Sequence, residues 1–296
     1  MIVTPGASLA STASAPPAPP ARMKHLPTGT LAAAFAWTVI AVFVVVPLAA
    51  LAFRASEASA ASVRSLLTAP RVLAAFRITF LTSIGAAFVD LVLAFPIAWS
   101  LGRYDFPGRR FVDALVDMPL ALPTSVAGLT LAALSSETGP IGRFLASSGI
   151  RVAYTSLGIS LALAFVGLPF VVRAIEPVVR VLDESALEAA RSLGASEATV
   201  AWRVVLPQLV PAAITGFAVA LARSLGEYGS VVFIAGNLPF KTEVVSLFIV
   251  ARLEDHEPVA AAVLAIALLT ASCVLLAAVA GLERRATARF VPAERL

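Results

Sequence analysis

The sequence predicts an all-α, polytopic membrane protein with six transmembrane helices, and three observations carry that prediction. Hydrophobic residues make up 59% of the 296-residue chain and charged residues 14%, with a mean hydropathy of +0.92, well beyond the roughly half-apolar composition of soluble domains. Six apolar runs, near residues 31–53, 76–101, 114–134, 155–175, 209–234 and 258–282, each reach the roughly 20 residues that a bilayer-crossing helix needs. Between the fourth and fifth runs lies a charged insert, residues 183–211, patterned as two short amphipathic helices. The formal charge of +4 does not point to nucleic acid, because the basic residues are scattered and border the apolar runs, as membrane topology requires. The single cysteine, Cys273, lies inside an apolar run; it excludes an intrachain disulfide and is expected as a small core residue.

Taken in order, residues 1–28 are rich in Ala, Ser, Pro and Thr and include Pro16-Pro17-Ala18-Pro19-Pro20. They carry too little large apolar surface to offset ordering entropy and are expected to form a disordered tail. Arg22 and Lys24 come after the low-complexity segment, and the next run is long enough to span, so that run reads as a retained anchor and not as a signal peptide. A transmembrane domain is expected over residues 29–285 and a second tail over 286–296. Six spans put both termini on one side of the membrane. Taking that side as the cytosol leaves thirteen Lys and Arg inside and eight outside, the sense the positive-inside rule requires, although Arg54, Arg64, Arg71 and Arg77 run against it.

Several runs carry features that a plain span does not need. The third contains Met118-Pro119-Leu120-Ala121-Leu122-Pro123-Thr124-Ser125. Its two prolines remove two backbone donors and leave carbonyls unsatisfied where lipid offers no partner. Irregular backbone at that depth faces protein or a water-filled path, and Thr124 and Ser125 are placed to cap the half-helix that resumes there, where an anion would be favoured. A kink needed only for packing is the competing account. Pro47, Pro96 and Pro169 are weaker instances of the same feature. The fifth run holds Arg223-Ser224-Leu225-Gly226-Glu227-Tyr228-Gly229. Charges at that depth mark either a pathway or a buried pair, and Arg223 and Glu227, four residues apart, are spaced to neutralise one another on one helix face. Gly226 and Gly229 permit close approach of another backbone. Thr124, Ser125, Arg223, Ser224 and Glu227 are therefore the candidate pathway residues.

The insert reads as helix, glycine, helix. Ser185-Ala186-Leu187-Glu188 fits a capping box, Leu187, Ala190 and Leu193 form a short apolar stripe, and Gly194 sits where a left-handed residue ends a helix. Ser196 offers a second N-cap, Val200 and Val204 fall one turn apart, and Pro207 is expected to stop or bend the second helix. Two amphipathic helices without a core of their own, beside a span, make a docking surface. A DNA-binding helix-turn-helix does not fit, since apolar spans flank the insert and no basic recognition face is present.

Glu188-Ala189-Ala190, Gly194 and Leu206-Pro207, in that spacing, resemble the EAA loop of the membrane subunits of ATP-binding-cassette importers. The resemblance implies a cytosolic coupling loop at about residues 177–208, with Glu188, Ala189, Ala190, Gly194, Leu206 and Pro207 contacting the ATPase. Arg223–Gly229, Phe233-Ile234-Ala235-Gly236-Asn237, Pro239 and Lys241-Thr242-Glu243, with Gly167-Leu168-Pro169-Phe170-Val171-Val172-Arg173 upstream, are similar to the T-type subunit of the sulfate/thiosulfate importer permeases over residues 66–282. Molybdate permeases share the Leu-Gly-Glu-aromatic-Gly run and the Gly-Asn motif; Lys241-Thr242-Glu243 favours sulfate. The family implies a second permease subunit as heterodimer partner, two copies of a cytosolic ATP-binding subunit, an extracytoplasmic sulfate-binding protein and a bacterial inner membrane. ATP and Mg are expected on the partner ATPase, because no G-x-x-x-x-G-K-[ST] cradle occurs here. No catalytic or metal site is expected: His25 and His256 are the only histidines, and Asp90 and Asp117 stand singly, without ligand spacing. An intramembrane enzyme would need such a constellation, and a passive channel would not need a docking hairpin.

Overall fold

A computed structural model describes residues 28–290, and every regular element among them is helical. The tail expected over residues 1–28 lies almost entirely outside the described residues, as does most of the one expected over 286–296. The described chain divides into two units, one ending at Ala50 and the other starting at Leu51. In the first, α1 (Thr28–Ile40) passes through a π-turn (Ala41–Val45) into α2 (Val46–Ser56), which runs across the unit boundary. The π-turn stands just ahead of Pro47, with the Val46 N–H donating to the Ala41 carbonyl, so the wider turn makes room for a residue with no donor and a bulky ring.

The second unit continues with the short amphipathic α3 (Ala60–Leu67), the long α4 (Pro70–Arg103), α5 (Arg109–Ala121), α6 (Thr124–Ser135), α7 (Pro140–Ala146) and α8 (Ser156–Arg180). Then come α9 (Glu184–Ser192), α10 (Glu197–Val200), a second π-turn (Ala201–Val205), α11 (Leu206–Leu225), α12 (Gly229–Ile234), α13 (Val245–Glu254) and α14 (Pro258–Phe290). Five helices are long and apolar enough to cross a membrane, and α5 with α6, bent by 110°, makes a sixth if counted as one span. The expected six runs are all found, but the third is a sharply bent pair and the fifth ends early. At 34 residues, α4 extends about 51 Å and overshoots a ~30 Å hydrocarbon core at both ends.

The core of this unit lies where α4, α8 and α11 cross. Ala86, Ala87, Ala94 and Ala98 of α4 are fully buried, as are Val171, Val172, Ile175 and Val179 of α8 and Ala220 and Leu221 of α11. With lipid as apolar as leucine, such packing is driven by close approach, which small residues on α4 allow. Pro96 and Pro169 sit inside unbroken helices, so they do not break their spans as the sequence suggested. Cys273 is exposed on α14 and not a core residue: its helix turns that face away from its neighbours in this chain.

Candidate functional site

The hairpin between α8 and α11 forms where expected, with its start shifted. Asp183 is the N-cap of α9: its Oδ1 accepts the Ser185 N–H at 2.9 Å and the Ser185 hydroxyl at 2.7 Å. The Ser185–Glu188 capping box therefore does not form. A carboxylate at the N-cap, ahead of Ser185, serves the free N–H groups better, since its charge complements the helix dipole. Leu187 is buried in the core that also holds Leu101, Val179, Leu182, Val200 and Val205. Ala190 is half-buried, whereas Leu193, the third member of the expected stripe, is 89% exposed because the helix ends there. Glu188 and Ala189 are exposed on the hairpin surface.

Gly194 adopts φ +84°, and no heavy atom lies within 4 Å of where a Cβ would stand. Its N–H donates to the Arg191 carbonyl at 2.9 Å and the Ala195 N–H to the Ala190 carbonyl at 3.1 Å, the paired bonds of a Schellman turn. Glycine is needed here for its backbone, not for space. Ser196 caps α10 by accepting the Thr199 N–H at 3.3 Å, as expected. Arg191 on the first arm pairs with Glu197 on the second at 2.7 Å, and that hydrogen bond raises the Arg191 pKa above its ordinary value. Pro207 does not stop the second arm. The π-turn ahead of it, closed by the Leu206 N–H donating to the Ala201 carbonyl, accommodates the ring, and one helix runs from Glu197 to Leu225. Leu206 and Pro207 are half-buried within it. A cavity of about 530 Å³ separates the hairpin from the end of α4, walled by Trp99, Arg103, Leu187, Glu188 and Arg191 among others.

The two polar breaks expected in the third and fifth runs meet in space. Between α5 and α6 the backbone extends at Leu122 and Pro123; Pro123 is the N-cap of α6, and its carbonyl accepts the N–H groups of Val126 and Ala127 at 2.9 and 3.1 Å. Thr124 and Ser125 thus do not cap the half-helix, because the proline ahead of them takes the N-cap position. They pack instead against the start of α12. A Cβ on Gly229 would collide with Thr124 Oγ1 and stand 3.2 Å from Ser125 Oγ and 3.3 Å from Ser125 N.

The fifth run ends its helix at Leu225, and residues 226–228 lead into α12. Arg223 and Glu227 are therefore not on one face of a continuous helix, yet they still pair, Nη2 to Oε2, at 3.2 Å. The Glu227 side chain is 2% exposed and that of Arg223 44%. Glu227 also closes the break: its Oε1 accepts the Ser230 N–H at 3.1 Å, and its carbonyl accepts the Ser246 hydroxyl at 2.8 Å. Ser224 turns inward, its hydroxyl buried without a hydrogen-bond partner.

Two ionic joints were not anticipated. Arg173 on α8 pairs with Asp113 at 2.8 Å and Asp117 at 2.7 Å on α5, and with Glu176 one turn on at 2.6 Å; Glu176 also pairs with Arg180. Asp117, solitary in the sequence, is therefore bridged across 56 positions. The spacing of Asp113 and Asp117 on one helix, and of Arg173, Glu176 and Arg180 on the other, was the available signal. The second joint is bidentate, Arg71 Nε and Nη2 to the Glu243 carboxylate at 2.8 and 2.7 Å, with Glu243 fully buried. Asp90, midway along α4, is fully buried, and both its carboxyl oxygens lack hydrogen-bond partners.

A family model described as binding-protein-dependent transport system inner membrane component matches residues 94–287. The chain is 45% identical over 266 residues to the sulfate transport system permease protein CysT of Salmonella typhimurium, a match covering 90% of this chain and 96% of that protein. It is 43% identical over 244 residues to the CysT of Synechocystis sp., covering 81% of this chain and 85% of that one. Among solved structures, a chain of a bacterial alginate ABC transporter, in complex with a periplasmic protein bound to alginate pentasaccharide, superposes with a TM-score of 0.71 at 18% identity, over 88% of this chain and 94% of that chain. That likeness is one of fold, and it agrees with the all-helical, membrane-spanning architecture read from the sequence. The chain belongs to the family of binding-protein-dependent transport system inner membrane components.

Proposed function

We propose that this chain is the membrane-spanning permease subunit of an ATP-driven sulfate importer, moving the anion inward by alternating access driven by a separate ATPase. The observation that carries the reading is similarity over nearly the whole length of proteins named as sulfate permeases. The hairpin supports it. Leu187 pins the first arm into the core, the second arm is continuous with α11, and Glu188, Ala189 and Leu193 remain on the outside for a partner. A pair of cytosolic ATPase subunits, which would hold ATP and Mg, takes that surface; a second permease subunit completes the pathway, and an extracytoplasmic binding protein delivers sulfate. The hairpin follows the fourth span, so it shares a side with both termini, and that side is the cytosol of a bacterial inner membrane. Thiosulfate belongs to the same substrate class.

A dehydrated divalent anion is costly to hold in apolar surroundings, so the path offers hydroxyls, backbone N–H groups and a cation without enclosing the substrate tightly. Thr124, Ser125, Arg223 and Ser224 are the residues of this chain proposed for that role, with Glu227 holding Arg223. The test is uptake of radiolabelled sulfate by cells with and without the chain, in the presence of unlabelled thiosulfate or molybdate. Loss of uptake on deletion, with competition by thiosulfate and not by molybdate, supports the reading. Unchanged sulfate uptake on deletion would sink it, and competition by molybdate would move the substrate to that anion.

A further inference from the structure

We propose that Arg173 is the positioning residue through which the hairpin moves the bent third span, an inference that rests on the transporter reading above. Two helices receive hairpin motion through the backbone. α8 enters α9 across residues 181–183, and α11 continues the second arm. α5 has no such route, because residues 122–155 separate it from α8. Apolar contacts do join the two, with Val116 of α5 in the same core as Val172 and Ile175, but apolar contact is non-directional and lets helices slide. The guanidinium of Arg173 is directional. It donates to the Asp117 carboxylate of α5 through Nη2 at 2.7 Å and Nε at 2.9 Å, a fork that fixes both distance and orientation, and pairs ionically with Asp113 of α5 at 2.8 Å. Its fourth bond reaches Glu176, which Arg180 holds one turn before the hairpin begins.

α5 leads through Leu122 and Pro123 into α6, whose Thr124 touches Gly229 just beyond the break that ends α11. Two arms therefore leave the hairpin, one by α8, Arg173 and α5, the other by α11, and they meet again at Thr124 and Gly229. Displacing the hairpin moves both sides of that contact. Without the ionic fork, α5 is left with its apolar contacts to α8 and its short link to α4 through residues 104–108, and the α11 side is driven more than the α5 side.

The test uses the assembled complex in proteoliposomes, with Cys273→Ser to remove this chain's single native thiol, Ser125→Cys as a reporter on α6, and labelling read on this chain after separation from its partner subunits. Thiol labelling is timed with and without ATP and vanadate. With Arg173 in place, trapping the ATPases should change the labelling rate. Arg173→Gln and Asp117→Asn should each shrink that response roughly five-fold while ATP hydrolysis per complex stays within about two-fold. Arg173→Lys, which keeps the charge but not the fork, should fall between. A merely structural role would lower the amount of complex and scale hydrolysis and response together. A response unchanged in the variants, or falling only with the amount of complex, overturns the proposal; so does a reporter that never responds with Arg173 in place. If Arg173→Gln does not assemble, Asp117→Asn alone decides. The labelling does not depend on which anion moves, so sulfate uptake by vesicles that keep Ser125 and lack the reporter tests the transporter reading separately.

Discussion

Gly194 offers the sharpest test of the hairpin, because its surroundings separate backbone from packing. Its φ is +84°, and a Cβ there would meet nothing within 4 Å, so Gly194→Ala adds no clash and bears only the left-handed penalty of about 1–2 kcal/mol. That corresponds to roughly a five- to thirty-fold loss in the population of the native turn. Gly194→Asn should be nearly silent, since asparagine enters this region readily. Gly194→Pro fixes φ near −65° and deletes the N–H that bonds Arg191, so the turn cannot form. The assay is sulfate uptake per ATP hydrolysed in proteoliposomes, with the membrane content of the chain measured by immunoblot. The expected order is glycine and asparagine together, alanine lower, proline without uptake, at equal content. Proline equal to glycine would refute the coupling role, and asparagine as damaging as proline would show that backbone conformation is not what the position supplies.

Three further outcomes concern the breaks and joints. Gly229→Ala drives a methyl into Thr124 and should lower folded yield by an overpacking penalty of about 1–3 kcal/mol; Thr124→Ala in the same chain should recover part of it in a detergent melting assay. Glu227→Gln keeps an acceptor for the Ser230 N–H and should fold better than Glu227→Ala, judged by size-exclusion yield, whereas Arg223→Gln should reduce sulfate-dependent turnover; full turnover would leave Arg223 a structural role only. Arg71→Ala leaves the fully buried Glu243 carboxylate without its cation and should lower the melting temperature more than Leu253→Ala on the exposed side of α13, because an unpaired buried charge is penalised more than a lost exposed contact.

Hydropathy alone located the spans, because a run of apolar residues needs no partner to be recognised. What it missed depends on neighbours. Pro123 stands at a 110° bend while Pro169 lies in an unbroken helix; the difference is that α8 is gripped by buried residues on most of its length, whereas α5 buries only Val116 and Pro119. The i,i+4 spacing of Arg223 and Glu227 gave the right pair on the wrong premise, since the helix ends between them and the chain still brings them to 3.2 Å. At the hairpin, Gly194 and Ser196 were legible because their roles are local. The choice of Asp183 over Ser185 was local too, a carboxylate two residues ahead taking the N-cap, but the capping-box pattern, which starts from Ser or Thr, passes over it. Asp113 and Asp117 meet Arg173 across the fold, and only tertiary structure could join two patterns that each looked like an ordinary charged face.

The unbroken helix from Glu197 to Leu225 also limits how the gene can change. Adding or removing one residue within it would rotate everything beyond by about 100° and shift it by about 1.5 Å, taking Gly229 out of register with Thr124 and the hairpin away from its partner. Residues 181–183 on the other arm are not helical, so although they pass on a displacement of the hairpin they do not lock α8 and α9 into one helical phase. Length variation among descendants of this chain should therefore collect before Asp183 and be purged after Ser196, leaving a hairpin with one tolerant hinge and one arm whose length is fixed.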